Sequence, residues 1–555
     1  MKFNKIFMGL GIAAALGLSA CSLDRTPLDP NTNTTFNQDE VYSKVYATFG
    51  TTGQKGPDGS GDVDGIDEGT SGFYRMFWSL NEFPTDEVWW IWSTDAGVAD
   101  ILPMTWSKSN TFVAGIYYRF YFDITLCNHF LDRTEGLTDE KTLRQRAEVR
   151  MIRAINYYFV LDMFNGGPMP MHVSPDHPAY ATRAEMFAWL EEECKELEGL
   201  LPEQRASKYR VDRGAAQFIL MRMYLNAAVY LGTPGTPNYD LARWNDAAIY
   251  ADKLIQNPAY ELYDVPAAVR NDDHVYYSAY QQLFMGDNDQ TAAKEAILLI
   301  YQDAQYCQSW AGARFVVNAP RDADFVPSGS SDSWTCVRSC PEFITNVWVA
   351  KEVAQDIKLN EYQMPVRLKD DRAIFCSVST QGKAFSLTGG TASDLYASWR
   401  MPKFTGIYST STDPWNWTSP VGIADWVDTD IPLFRIAEAY MTYAECMQRG
   451  AAVPAGAKYN NMLDPINVLR RRAHAAELTS CSYTQLLSEW AKEFWGEGRR
   501  RTDLIRFEQF AGDKASMSWE GHNGKFDGRF CVFPIPESDE TANPNLANVN
   551  AMIGY

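Results

Sequence analysis

Pro84-Thr85-Asp86-Glu87-Val88-Trp89-Trp90-Ile91-Trp92-Ser93-Thr94-Asp95 concentrates more potential chemistry than any other stretch of this chain. Trp89, Trp90 and Trp92 fit neither the alternation of a half-buried strand nor the spacing of an amphipathic helix. Flat aromatic faces flanked by carboxylates suit a sugar ring, whose apolar face stacks while its hydroxyls find polar partners. The stretch reads as one wall of a carbohydrate site. The alternative is that the indoles fill a core.

Cleavage of a sugar would need two carboxylates flanking the scissile bond, one with a raised pKa. Asp86, Glu87 and Asp95 lie beside the wall, and Glu493 and Glu497 form a second pair. The late pair alternates with Arg499, Arg500, Arg501 and Asp503, which reads as a buried or semi-buried ion network. No nucleophile elbow, phosphate loop or zinc motif is present. The six histidines form no metal-ligand pair, and Cys336-x-x-x-Cys340 has no second pair to complete a zinc site. Gly59 to Glu68 has the look of a calcium loop, yet Ser60 and Ser71 stand at the first and twelfth EF-hand positions. It reads as a surface loop that leads into Arg75, placing that guanidinium near the tryptophans.

Lys2 and Lys5 precede an apolar run from Ile6 to Leu18, and Leu18-Ser19-Ala20-Cys21 ends in small residues and a cysteine. This is the pattern of a bacterial lipoprotein signal, with residues 1–20 removed and Cys21 lipidated. Residues 21–40, polar and broken by proline, read as a tether. With Cys21 spent on lipid, nine of the ten cysteines remain, an odd number that excludes a complete disulfide framework. The formal charge of −20 argues against nucleic acid and anionic membrane surfaces as partners.

Helical periodicity begins near Asn110. Leu143, Ala147, Met151, Ile155 and Tyr158 share one face. Further helices follow from Ala184 to Leu201, from Arg213 to Leu231 and from Leu241 to Ile255. The pattern returns with Phe434, Ala437, Met441 and Ala444, then through Ile466 and Leu469, then Leu486, Trp490 and Phe494. Helix pairs with short connections predict a mostly α fold, a tetratricopeptide-like scaffold over about 110–260 and 430–510 within one domain of 41–555. The regions of about 50–108 and 260–430 are rich in Gly, Ser, Pro and Asp. The second carries Trp310, Trp334, Trp348, Trp399, Trp415, Trp417 and Trp426. A long irregular insertion of this kind is expected to hold the ligand site.

The lipoprotein signal, Gln145-Arg146-Ala147-Glu148-Val149-Arg150, the run from Trp490 to Phe507 and Phe533-Pro534-Ile535-Pro536 resemble the SusD family of surface glycan-binding lipoproteins. Gly53-Gln54-Lys55-Gly56, Ser71-Gly72-Phe73-Tyr74-Arg75, Pro84-Thr85-Asp86-Glu87, Thr142 to Glu148 and Asp428 to Arg435 point within it to the starch-binding branch. The resemblance implies binding without catalysis, on an arc of three aromatic residues that matches Trp90 (continuing to Trp92), Trp310 and Trp334. It implies help from Arg75 and from Asp95, which stands where the family's starch binder has asparagine and so accepts but cannot donate. It also implies a structural calcium ion held by Asp289, Asp428 and Asp430, whose hard oxygens suit that ion. Starch or a malto-oligosaccharide is the implied ligand, with another glycan second and a peptide third. The implied partner is a TonB-dependent outer-membrane β-barrel transporter, with the protein anchored at the cell surface through Cys21.

Overall fold

The computed structural model describes residues 36–555 apart from 93–96, 271–274, 322–326, 349–368, 375, 378–398, 415, 418, 421, 424, 520–521 and 523. Cys21 and Asp95 lie outside the described residues.

Helices α1 (Gln38–Gly50), α2 (Phe73–Glu82), α3 (Thr111–Arg133), α4 (Glu140–Met163), α5 (Arg183–Leu200), α6 (Arg213–Leu225) and α7 (Trp244–Ile255) make the first part of the scaffold. Their starts are written in the sequence. Asn110 accepts from the backbone of Phe112 and Val113, Asp139 from Thr142 and Asp212 from Gly214. Thr182 and Glu185 form a reciprocal capping box. From α3 to α6 each helix packs on the next, and α7 lies against both α6 and a late helix, α8 (Ala437–Gln448). Helices α9 (Leu463–Arg472), α10 (Tyr483–Phe494) and α11 (Arg500–Arg506) complete the scaffold. The mostly helical, tetratricopeptide-like architecture expected from periodicity is the one observed.

Three expectations need correction. Helix α1 begins at Gln38, inside the segment read as tether, and α2 lies inside the first region read as loop. Nine of the ten residues of α2 are buried, yet Arg75, Ser79 and Glu82 recur at helical spacing, a period that stands directly against the Gly- and Asp-rich loop before it. Phe434 belongs to a strand, Ile431–Arg435, which pairs antiparallel with Ala296–Ile300. Both strands are wholly buried, and a short apolar run of that kind has no period to separate strand from helix.

The tryptophan stretch is also an ordinary element. Val88–Trp90 is a short strand paired antiparallel with Val337–Ser339, Trp90 opposite Val337. Trp399–Arg400 and then Cys376–Ser377 extend this sheet.

Candidate functional site

The strand Val88–Trp90 sets a two-residue alternation that carries just beyond its end. Trp90 and Trp92 fall on one side and meet edge to face, centroids 5.4 Å apart at 89°. Their burial differs sharply: Trp90 is 1% exposed and Trp92 45%. This changes the role expected of Trp90. Its ring is packed against Phe83 and Phe315, so it borders the site from beneath, and the open face belongs to Trp92.

Trp92, Trp90, Trp310, Trp334 and Arg75 converge on one concavity of about 420 Å³, together with Pro57, Asp67, Glu68 and Gly69. Trp310 and Trp334 lie 6.4 Å apart and are tilted by 33°. Gly69 permits this wall: a Cβ there would come within 3.1 Å of the Trp310 Cβ. The Arg75 guanidinium lies over Phe315 at 5.1 Å and Trp90 at 5.8 Å, and its Nη1 donates to the Gly69 carbonyl. Thus the loop, α2, the strand and the distant insertion each contribute one side.

Several participants were not legible in the sequence. Arg314 lies between Trp310 and Trp426, at 4.0 and 4.5 Å from their centroids. Asp332 Oδ2 accepts from Trp334 Nε1 at 2.8 Å and from Arg314 Nη2 at 3.2 Å. Glu68 is buried against the concavity. Its Oε1 accepts from the Thr52 hydroxyl and from Ser309 Oγ, whereas Oε2 has no hydrogen-bond partner among the described residues. Burial raises its pKa above the usual carboxylate range. Aiming Glu68, four residues before the loop ends at Gly72, into the concavity requires the fold; the one available signal was its place seven residues ahead of Arg75.

The carboxylates nearest the tryptophans in sequence are spent elsewhere. Asp86 is buried and takes a bidentate ion pair from Arg500 at 2.7 and 2.8 Å. Glu87 accepts from the Gly496 amide at 2.9 Å, and Glu82 from the amides of Gly498 and Arg499 at 2.6 and 3.0 Å. Gly496 and Gly498 both adopt positive φ, where an L side chain would be strained. Burial pushes the pKa of both Glu82 and Glu87 up, and their proximity makes ionising the second carboxyl harder still. The expected ion network is real and wider than the sequence suggested. Arg435 meets Glu295, Glu493 and Glu497; Arg472 meets Glu295 and Glu493; Lys403 meets Glu497. Arg499 pairs with Asp503 and Glu438, whereas buried Arg501 donates to the Cys531 carbonyl.

The three aspartates expected to hold calcium do not form one ligand set. Among the described residues no three His, Cys, Asp or Glu side chains converge as metal ligands. Asp428 is spent on the Ala304 amide and the Tyr408 hydroxyl, at 2.8 and 2.9 Å. Asp289 and Asp430 are neighbours in the field of Tyr209. Asp430 Oδ1 accepts from the Gln302 amide at 2.7 Å, and the Tyr209 hydroxyl lies beside its buried carboxyl. Burial pushes its pKa up to about 8. Lys208 Nζ donates to Asp289 Oδ2 at 2.5 Å and to the Asp289 carbonyl at 3.1 Å. An ammonium therefore stands where two kinds of hard oxygen meet.

A protein 34% identical to this chain, over 98% of each sequence, is the starch-binding protein SusD of Bacteroides thetaiotaomicron. The chain belongs to the SusD family. The family's sequence model itself matches residues 294–555. Solved SusD-like structures share the fold. A SusD-like carbohydrate-binding protein from Bacteroides fragilis superposes with a TM-score of 0.63 at 17% identity, covering 92% of this chain and 98% of its own. Surface glycan-binding protein A from Bacteroides thetaiotaomicron, solved with laminarihexaose, gives 0.61 at 15% identity over the same shares. For this SusD-family chain, no described helix is long and apolar enough to cross a membrane.

Proposed function

We propose that this protein captures starch-type α-glucan at the cell surface, without cleaving it, and passes the chains to a TonB-dependent outer-membrane transporter. The observation that carries the reading is the half-exposed Trp92 in one concavity with the tilted Trp310–Trp334 pair and Arg75. Tilted platforms match a glucan whose successive rings turn, and a stacked guanidinium offers donors to hydroxyls. The starch-binding relative at 34% identity supports the same ligand. Asp67 and Glu68, the carboxylates that do line the concavity, are adjacent on one loop. Cleavage needs two carboxyls on opposite sides of the bond. In this reading Cys21 carries the lipid anchor, and a calcium ion binds at Asp289 and Asp430 with Lys208 withdrawn.

The deciding experiment is electrophoresis of the mature chain through gels containing amylopectin, pullulan, dextran, xylan or levan. Retardation by amylopectin and pullulan alone, with no reducing ends released, is expected. Retardation by another polymer only would overturn the α-glucan assignment and keep the fold. Labelled palmitate incorporated into the wild type and lost in Cys21→Ala would establish the anchor.

A further inference from the structure

A second concavity, of about 390 Å³, lies beside the first and repeats its construction with tyrosine in place of tryptophan. It is lined by Tyr46, Tyr209, Tyr301 and Arg210, with Ser43 and Thr51 at its rim. The two share a ridge. Gly50 and Thr51 face the second concavity, while the next residue, Thr52, reaches Glu68 on the first. Tyr301 and Cys307 border the second, and Trp310 the first.

Each tyrosine is tethered through its hydroxyl to a carboxylate. Tyr46 donates to Glu148 at 2.8 Å, Tyr209 to Asp289 at 3.4 Å and Tyr301 to Asp303 at 3.0 Å. The hydroxyls are consumed and the rings are fixed, so the concavity is offered apolar ring surface in a set orientation. Tyr301 is 40% exposed and meets Tyr209 edge to face at 4.9 Å. Arg210 lies over Tyr42 and Tyr46, its guanidinium 4.5 and 4.2 Å from their centroids. Its side chain makes no hydrogen bond or ion pair among the described residues, so the donors on its edge are available to a ligand. An arginine stacked on rings beside an exposed aromatic face is the same combination as Arg75 with Trp92. It suits a ligand with an apolar face and ring hydroxyls, and needs no charge on that ligand.

We propose that the Tyr46–Tyr209–Tyr301 concavity is a second binding site for neutral oligosaccharide, across the ridge from the tryptophan site. A long polysaccharide that engages both sites gains by effective concentration what a short oligosaccharide cannot. The choice of saccharide rests on the reading of the first site, so the test separates the two.

Mature wild type, Tyr301→Ala, Trp92→Ala/Trp334→Ala and the triple variant are compared by calorimetry with maltoheptaose and by retardation in amylopectin, pullulan, xylan and laminarin gels. Matching melting curves establish folding; Arg210→Ala replaces Tyr301→Ala if that variant is destabilised. Wild type is expected to take about two maltoheptaose molecules per chain, and each single-site variant about one. In the gel, each is expected to bind polymer at least about tenfold more weakly than wild type, and the triple variant not at all. One molecule per wild-type chain, with Tyr301→Ala and Arg210→Ala indistinguishable from it in every gel, overturns the second site. Retention by the Trp92→Ala/Trp334→Ala variant that Tyr301→Ala abolishes supports the second site even if the tryptophan reading fails. Absence of binding to any of these glycans by the wild type overturns both.

Discussion

Trp334 is steered by Asp332: the indole N–H donates to Asp332 Oδ2 at 2.8 Å, and Arg314 holds the same oxygen at 3.2 Å. The ring plane of the wall is thus fixed by a carboxylate two residues back that is itself 42% exposed. Asp332→Ala is expected to weaken amylopectin retardation several-fold through a loosened ring and to lower the melting temperature modestly, because the buried Arg314 loses its carboxylate partner. Asp332→Asn, which keeps the acceptor and loses the charge on Arg314, should fall between the two. Unchanged retardation in Asp332→Ala would remove Asp332 from the site.

Trp92 and Trp90 should separate binding from stability. Trp92→Ala deletes an exposed stacking face and is expected to cost about 1–3 kcal/mol of binding with little loss of stability. Trp90→Ala empties a core position and is expected to cost about 3–5 kcal/mol of stability. Denaturant melts alongside affinity gels check both; a stable Trp90→Ala variant would contradict its burial.

The Glu82–Glu87 pair makes stability depend on pH in a stated direction. In the unfolded chain both carboxyls lose their protons near the ordinary value, about 4.3. In the folded chain burial keeps a proton on the pair above that pH. The folded state binds more protons, so this contribution to stability falls as pH rises from about 4.3 through the folded pKa. Glu445 acts oppositely: against its burial, Arg506 and Arg449 hold its pKa down at about 2, and its stabilisation is lost on acidification below about 4.3. From these two terms the melting temperature is expected to peak at about pH 4.3 and to decline toward pH 8. Glu82→Gln, which mimics the protonated acid, should flatten the alkaline decline. A variant as pH-sensitive as wild type would show that the pair does not carry it.

In the proposed calcium-bound form the ion would have to displace Lys208 from the oxygens of Asp289. Millimolar calcium is expected to raise the melting temperature of the wild type relative to excess chelator, and more so in Lys208→Met. Asp430→Ala should abolish the difference. Equal melting with and without chelator in wild type and Lys208→Met would remove the metal.

The helical scaffold was legible because its helices carry apolar residues at helical spacing on one face, and the caps at Asn110, Asp139 and the Thr182–Glu185 box agree with where they start. The strand Ile431–Arg435 was not, because burial on every side erases periodicity, and α2 was absorbed into the loop before it although Arg75, Ser79 and Glu82 carry its period. The convergence of Trp92, Trp310, Trp334 and Arg75 rested on family resemblance, since contacts across more than 200 residues leave no local signal. The same limit hid Glu68, Arg314 and Asp332. It also concealed that Trp90, two residues before the exposed Trp92, is buried.

The bond between Asp86 and Arg500 spans 414 positions of chain. The wall that begins at Asp86 therefore leaves the ribosome long before the segment that braces it, and stays unsupported until the last tenth of the polypeptide arrives. Closing so large a loop is a late and slow event in folding. No short fragment around the tryptophans can serve as a transplantable sugar-binding module. A truncation before Gly496 is expected to remove recognition altogether, even though every residue that lines the tryptophan concavity is still present.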